Sequence, residues 1–366
     1  MLKLLPYAFS PTKLVSTPLY LIHFVTNRCN AKCPHCFVYD SEGEPVISGD
    51  EMSLDEIDIM TRSMGSSLYN VNLTGGETFL RKDIEDICEL YLNNTKTQVL
   101  QLFTNGYLQD RILTTVENIC QKYPSRNIVV VTSIDDLHEK HDSYRKLKNG
   151  FAKAMDTYEQ LRAMGFANLD LDIGLTVNHK NQDNLENIYD YLVKDKKIRT
   201  LSCSIVRGNP SDPDSKEVDL ERYKKFSEKI NHGMQNGELD CFNGFPGADL
   251  LNAKSVYMRK KSIPDKIEKG YESPCYAGRL IGVIYANGEV YPCELLEKPI
   301  GNLKDFDFSF PKIWASPKAK KIRDWIWDSK CYCEHECFQT INILFNPRYY
   351  PEILKEYARI KIGKFK

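Results

Sequence analysis

Six times in succession, an apolar run rich in β-branched residues is followed by a run of helical period. "PLYLIHFVT" (18–26) precedes "MSLDEIDIMTRSM", where Ser53 and Glu56 have the spacing of a capping box. "YNVNLT", "QVLQLFT", "NIVVVTS", "LDLDIGLTV" and "TLSCSIV" are the next five strands. Their helices are "KDIEDICELYLNN", "RILTTVENICQKY", "FAKAMDTYEQLRAM", "NLENIYDYLV" and "DLERYKKFSEKI". Such alternation demands a parallel sheet covered by helices, because a parallel pair needs a crossover between its strands. Six units are too few to close an eight-fold barrel. The expectation is an α/β fold built on an open, curved, partial (β/α)6 barrel.

The rhythm stops near residue 236. Residues 237–274 read as irregular and lysine-rich. "GVIYANGEVYPC" then reads as a β-hairpin with Asn287-Gly288 as its type I′ turn, and "SPKAKKIRDWIWDSK" reads as a helix. The expected division is a barrel over 18–236 and a second, β-hairpin/helix domain over 237–366.

The chain has 366 residues, 42% of them hydrophobic, which suffices for a sizeable core. No apolar run is long enough to span a bilayer. The N-terminal stretch is broken by Pro6, Pro11 and Pro18 and lacks the apolar core of a signal peptide, so a cytoplasmic location is expected. A net charge of -1 gives no bulk footprint for nucleic acid. Twelve cysteines in a reducing compartment are not a disulfide framework. Eight of them fall into two tight groups, which points to metal.

The first group is "CNAKCPHC", with Cys29, Cys33 and Cys36 in the loop after the first strand, at the end of the barrel where chemistry gathers. Zinc wants four ligands, and only His35, wedged between two of the cysteines, is at hand to complete them. A cubane cluster held by three thiolates instead leaves one iron open.

This C-x3-C-x2-C loop after the first strand of a partial barrel resembles that of the radical S-adenosylmethionine (radical SAM) enzymes. The resemblance implies a 4Fe-4S cluster whose open iron is chelated by S-adenosyl-L-methionine, which is cleaved to a 5′-deoxyadenosyl radical. It also implies an electron donor such as flavodoxin or ferredoxin. His35 stands where the family usually has an aromatic residue. "LTGGETFLR" follows the second strand, and the resemblance makes Gly75, Gly76 and Glu77 the site for the methionine amino group, with Thr78 in place of a frequent proline. "FTNG" (103–106) matches a common family turn. By the same resemblance Ser133 and Arg145 hold the ribose and carboxylate, and Leu175 contacts adenine or belongs to the core. Asp135 and Asp142 read as turn-forming, and His138 and His141 as solvated. Cys88 and Cys120 read as core. Cys203 reads as an ordinary buried thiol, with a position inside the barrel as the alternative.

The second group brackets the hairpin. Cys275-x12-Gly288-x4-Cys293 is followed by "CYCEHEC", with Cys331, Cys333 and Cys337. The pattern resembles the SPASM or twitch module, although a full SPASM module has seven cysteines and this chain has five. The resemblance implies one auxiliary 4Fe-4S cluster with a cysteine to spare. Zinc is the alternative.

The main expectation is an oxidation or related radical modification of an anionic small-molecule, sugar or lipid-linked substrate. It rests on the short segment before Cys29, where peptide maturases often carry a recognition domain. A peptide or protein maturase acting with a partner is the alternative, and a non-catalytic metal- or redox-sensing module is the rival from another class. Residues 252–270 and the tail from 341 are basic, and the tail interleaves Tyr349, Tyr350, Tyr357 and Phe365. They read as solvated faces. A weak membrane-surface contact is the sharper reading for the tail, and docking of a stripe of Ile353, Leu354, Tyr357 and Ile360 onto the barrel is favoured over it.

Overall fold

A computed structural model of the chain describes residues 16–240, 248–268, 273–333 and 335–364. Pro6, Pro11 and Phe365, named above, lie outside the described residues. Strands β1 (Tyr20–Thr26), β2 (Asn70–Gly75), β3 (Val99–Thr104), β4 (Asn127–Ser133), β5 (Leu169–Val177) and β6 (Leu201–Ile205) lie side by side in chain order. Every neighbouring pair is parallel. Helices α1 (Leu54–Ser63), α2 (Ile84–Asn94), α3 (Gln109–Lys122), α4 (His138–Arg145), α5 (Gly150–Ala163), α6 (Leu185–Tyr189) and α7 (Leu220–Gln235) fill the connections. The capping box of α1 forms as the sequence requires, with Ser53 accepting from the Glu56 N–H and Glu56 accepting from the Ser53 N–H. Such a cap is worth about 1 kcal/mol.

The strands are two-faced. Val71, Leu73, Leu100, Leu102, Ile128 and Val130 pack into one apolar cluster with Ile84, Ile87 and Tyr91 of α2. Cys88 and Cys120 are buried in the same cluster. Alternation puts Asn70, Asn72 and Gln101 on the opposite face, away from the helices. There they form a ladder: Gln101 donates to Asn70 at 3.1 Å, Asn70 to Asn72 at 2.8 Å, and Asn72 to the Tyr20 hydroxyl at 2.7 Å. Cys203 pairs in register with Leu175 and shares an apolar cluster with Tyr223 and Phe226 of α7. Its thiol is therefore on the helix side and not inside the barrel.

The hairpin joins the same sheet. Strand β7 (Ile281–Ile284) runs parallel to β1, from Tyr20↔Ile281 to His23↔Ile284, and β8 (Glu289–Tyr291) and β9 (Gly301–Asn302) continue antiparallel. The Asn-Gly turn is not type I′. Gly288 has φ +87° and Asn287 is not left-handed, while the Gly288 N–H donates to Tyr285 O and the Tyr285 N–H to Glu289 O. That is a three-residue loop ending in a left-handed glycine. Behind the sheet, a Cβ on Gly282 would stand 2.7 Å from the Trp314 ring, so only glycine lets this indole pack against β7.

The reading of 237–274 as irregular is corrected. A helix, α8, runs over Ala248–Glu268. It packs against α7, against a helix over Glu336–Leu344 and against the tail helix over Tyr350–Lys364. With the helices Phe310–Trp314 and Pro317–Asp328 intervening, these last two are α11 and α12. Ile353 and Ile360 of α12 are buried and Tyr357 is partly so, whereas Leu354 faces solvent. The stripe thus docks with one member outside it. A Cβ on Gly363 would lie 1.9 Å from Gln235 O, the mark of a close helix–helix approach. Among the described residues no helix is long and apolar enough to cross a membrane.

Candidate active site

The loop carrying Cys29, Cys33 and Cys36 starts at the C-terminal end of β1, and all three thiols are half-buried. The Ala31 N–H donates to Cys29 Sγ at 3.4 Å, and Cys36 accepts from the backbone of Val38 and Tyr39. Burial pushes the Cys29 thiol up to about 11 and the Cys33 thiol up to about 12. Three thiols so placed ionise only when a bound cationic group compensates their charge, as iron does. The donor set fits a cubane with one open iron.

Why two glycines follow β2 is now physical. A Cβ on Gly75 would stand 2.2 Å from Thr26 O, and one on Gly76 would stand 2.1 Å from Arg28 O. The bare backbone lets the β2 loop press against the root of the cysteine loop, where the Gly76 N–H donates to Thr26 O and the Glu77 N–H to Arg28 O, both at 2.8 Å. Glu77 is 1% exposed. Its Oε1 accepts from the Phe79 N–H at 3.1 Å and the Thr104 hydroxyl at 2.7 Å, and its Oε2 accepts from the Asn105 N–H at 2.7 Å. A carboxylate offers about four lone-pair sites. Three are taken, so one remains on Oε2 for a ligand donor. Burial pushes the Glu77 carboxyl up, and these donors oppose the shift.

Asn105, which the sequence reading passed over as part of a turn, ties β3 to the cysteine loop by donating to Asn30 Oδ1 at 2.7 Å. A Cβ on Gly106 would stand 2.7 Å from Ala154 Cα, which explains the glycine in "FTNG".

Ser133 ends β4, opposite Gly174. Arg145 lies beside the same mouth, and its carbonyl accepts from the Lys32 N–H at 3.0 Å. Its Nε and Nη2 meet Asp135 Oδ2 at 2.8 and 2.7 Å. Asp135 is fully buried, also accepts from the Thr176 N–H, and is an ion-pair partner rather than a turn residue. Burial would raise its carboxyl, but the adjacent Arg145 charge holds it below the usual range. His141 is likewise not solvated: it is buried, Nδ1 accepts from the Asp135 N–H, and burial lowers it to about 3, so it is neutral. His138 is exposed and edges against Phe151 and Tyr191. His35 stacks on Tyr144, with centroids 5.3 Å apart, and burial lowers it to about 4. Leu175 lies in the helix-side cluster with Ile173 and Cys203, apart from this mouth.

Of the five later cysteines, Cys275, Cys293, Cys331 and Cys333 meet around the hairpin. Cys275 and Cys293 are buried, and Cys331, Cys333 and Cys337 are half-buried against the same cluster. Burial raises Cys275 first, and Cys331 adds to the effect; Cys275, Cys293 and Cys331 likewise all act on Cys333. Cys337 instead hydrogen-bonds the Tyr20 hydroxyl, at the end of the carboxamide ladder. Between these cysteines sits a buried pair that the sequence reading did not single out, His335 Nε2 on Glu294 Oε2 at 2.8 Å.

Residues 24–192 match the family described as the radical SAM superfamily, and residues 275–338 match the SPASM iron-sulfur cluster-binding domain. The antilisterial bacteriocin subtilosin biosynthesis protein AlbA of Bacillus subtilis is 27% identical over 325 residues, covering 87% of this chain and 64% of that protein. The sporulation killing factor maturation protein SkfB of the same organism is 24% identical over 281 residues, covering 76% and 61%. The chain therefore spans somewhat over three-fifths of the length of these relatives. In fold it is similar to anSMEcpe with bound AdoMet, at a TM-score of 0.61 and 19% identity, over 95% of both chains. It is also similar to Streptococcus suis SuiB, at 0.59 and 17%, over 85% of this chain and 67% of that one.

The chain belongs to the radical SAM superfamily. Within it, the second cysteine group falls in the SPASM match, and the class so defined uses 4Fe-4S clusters and S-adenosylmethionine.

Proposed function

We propose that this chain is a peptide maturase: a radical SAM enzyme that modifies a ribosomally made peptide with the help of one auxiliary cluster. The observation that carries the reading is that the two relatives named for bacteriocin biosynthesis and killing-factor maturation align over 87% and 76% of the chain. They favour the maturase alternative over the small-molecule substrate expected from the sequence. Fe-coproporphyrin III synthase of Methanosarcina barkeri, 26% identical over 80% of this chain and 72% of its own length, keeps an anionic small molecule as the second reading.

In this reading Cys29, Cys33 and Cys36 hold the first cluster. Bound there with S-adenosylmethionine, it supplies a 5′-deoxyadenosyl radical that removes a hydrogen atom from the substrate. The free lone pair of Glu77 Oε2 receives the methionine ammonium, while Thr104, Phe79 and Asn105 fix the carboxylate. Ser133 and Arg145 take the ribose and the carboxylate. Asp135 holds the guanidinium in place and keeps its charge compensated in a buried setting. The auxiliary cluster draws its ligands from Cys275, Cys293, Cys331, Cys333 and Cys337. The electron donor is a flavodoxin- or ferredoxin-like protein.

The test is anaerobic incubation of the reconstituted protein with S-adenosylmethionine, a reductant and a panel of short candidate peptides. Mass spectrometry should find a peptide lighter by a pair of hydrogens, with matching 5′-deoxyadenosine. Stimulation of 5′-deoxyadenosine formation by porphyrins or nucleotides, and by no peptide, would overturn the reading.

A further inference from the structure

The segment after β6, residues 207–216, makes none of the cofactor contacts assigned above. It touches both cysteine sites. On one side, the Ser211 N–H donates to Cys36 O at 2.8 Å, the Asp212 N–H to Pro34 O at 2.9 Å, and the Ser211 hydroxyl to Pro34 O at 3.0 Å. The guanidinium of Arg207 lies over the Phe37 ring, 5.5 Å from its centroid. On the other side, Arg207 Nη2 donates to Glu294 Oε2 at 3.3 Å, and the Asn209 amide donates to Glu297 at 3.0 Å. Glu294 follows Cys293 directly. The same Oε2 accepts from His335, which lies between Cys333 and Cys337 and whose Nδ1 accepts from the Cys337 N–H at 3.2 Å.

A path thus runs from the Cys36 carbonyl to Ser211, along the short backbone segment to Arg207, and on through contacts to Glu294, His335 and Cys337. Its centre is stiff. Glu294 and His335 are 3% and 1% exposed, and the Glu294 carboxylate is held by both His335 and Arg207, so removing either partner leaves a buried polar group unsatisfied. The segment cannot lift from one site without disturbing the other.

We propose that Arg207–Asp212 is a strap that mechanically couples the two cluster sites, with Arg207 as its positioning residue. The proposal rests on the cofactor assignment at both sites but not on the choice of substrate. The strap transmits whatever shift the loop carrying Cys33 and Cys36 undergoes when S-adenosylmethionine binds there. Through Ser211 and Arg207 that change reaches Glu294 and the ligands beside it, where hydrogen bonds and charge set the properties of an iron–sulfur centre. The auxiliary centre would then sense occupancy of the first site.

The experiment uses the full chain, reconstituted with iron and sulfide and containing no substrate. Paramagnetic resonance spectra of the reduced protein are recorded with and without S-adenosylmethionine, resolving the two centres by poising at successive potentials. In the wild type, the cofactor should shift the signals of both centres. Arg207→Gln should keep the iron content and the cofactor response of the first centre, and lose the response of the auxiliary centre. Arg207→Lys, which restores a cation opposite Glu294, should recover part of it. Amide exchange at Ser211 and Asp212, slowed by cofactor in the wild type, gives a second readout that does not depend on the spectra. An auxiliary signal indifferent to cofactor in the wild type, or an Arg207→Gln protein that still responds, overturns the strap. Iron for one cluster only would refute the two-cluster assignment instead, and neither result bears on the peptide reading.

Discussion

Replacing Glu77 by Gln separates its two tasks. The substitution keeps size and shape, so no cavity forms. It exchanges one acceptor oxygen for an NH2 group that must face either the Asn105 N–H or the Thr104 and Phe79 donors. The first arrangement is cheaper, because only one donor is opposed, at a spacing of 2.7 Å. Losing one hydrogen bond to a charged acceptor costs about 1.5–3 kcal/mol. The relief of no longer burying a charge offsets part of this, so a net loss of about 1–2 kcal/mol in urea unfolding of the cluster-free protein is expected. The orientation that spares stability also points the NH2 group at the lone-pair site left for the methionine ammonium. Cofactor affinity should therefore fall by about 10- to 150-fold, equivalent to one charge-assisted contact. Iron content should not change. Anaerobic equilibrium dialysis of S-adenosylmethionine, set beside the unfolding curves, measures both quantities. A Glu77→Gln protein that binds the cofactor as tightly as the wild type would refute the ligand role, and one with unchanged stability would refute the bracing role.

Changing Cys29, Cys33 and Cys36 together to Ala should remove about half the iron and all cofactor cleavage, as read by iron assay and 5′-deoxyadenosine release. Cys275→Ala with Cys293→Ala should spare cleavage and stop peptide modification, followed by chromatography and mass spectrometry. Ending the chain at Pro347 strips Ile353 and Ile360 from the core and should cost about 3–6 kcal/mol in urea unfolding; a loss below about 1 kcal/mol would mean the tail helix is not docked. Burial raises Asp172 to about 6, above its unfolded value, so its contribution to stability is present at low pH and lost as pH rises through 6. Asp172→Asn should remove that loss, and the variant's stability relative to wild type should climb between about pH 4 and 6 and level off above; a difference independent of pH would contradict the assignment.

The barrel was legible because its strands and helices announce themselves by period, and the capping box of α1 by two residues. The first cysteine loop was legible because three thiols in eight positions admit few chemistries. Helix α8 was not, since Asn252, Lys254, Ser255 and Arg259 are buried polar residues that erase any apolar stripe, and Pro264 reads as a breaker. Asp135 looked like a turn former until Arg145, ten residues on, folded back against it. The hairpin turn misled because Asn-Gly favours a two-residue loop, whereas pairing of Tyr285 with Glu289 fixes three. Pairing of β7 with β1 had no local signal at all, because register between distant strands is decided by the assembled sheet.

That pairing bears on how the protein is made. When β1 leaves the ribosome, its partner on one side, β2, follows within some tens of residues, but its partner on the other side arrives only with Ile281. Until then, β1 presents an unpaired apolar edge, the kind of surface that recruits other chains. The stretch that covers that edge also carries the second cysteine group. The two halves of the molecule are therefore tied together: a chain stalled before Ile281 has an open sheet edge as well as an incomplete second cysteine group.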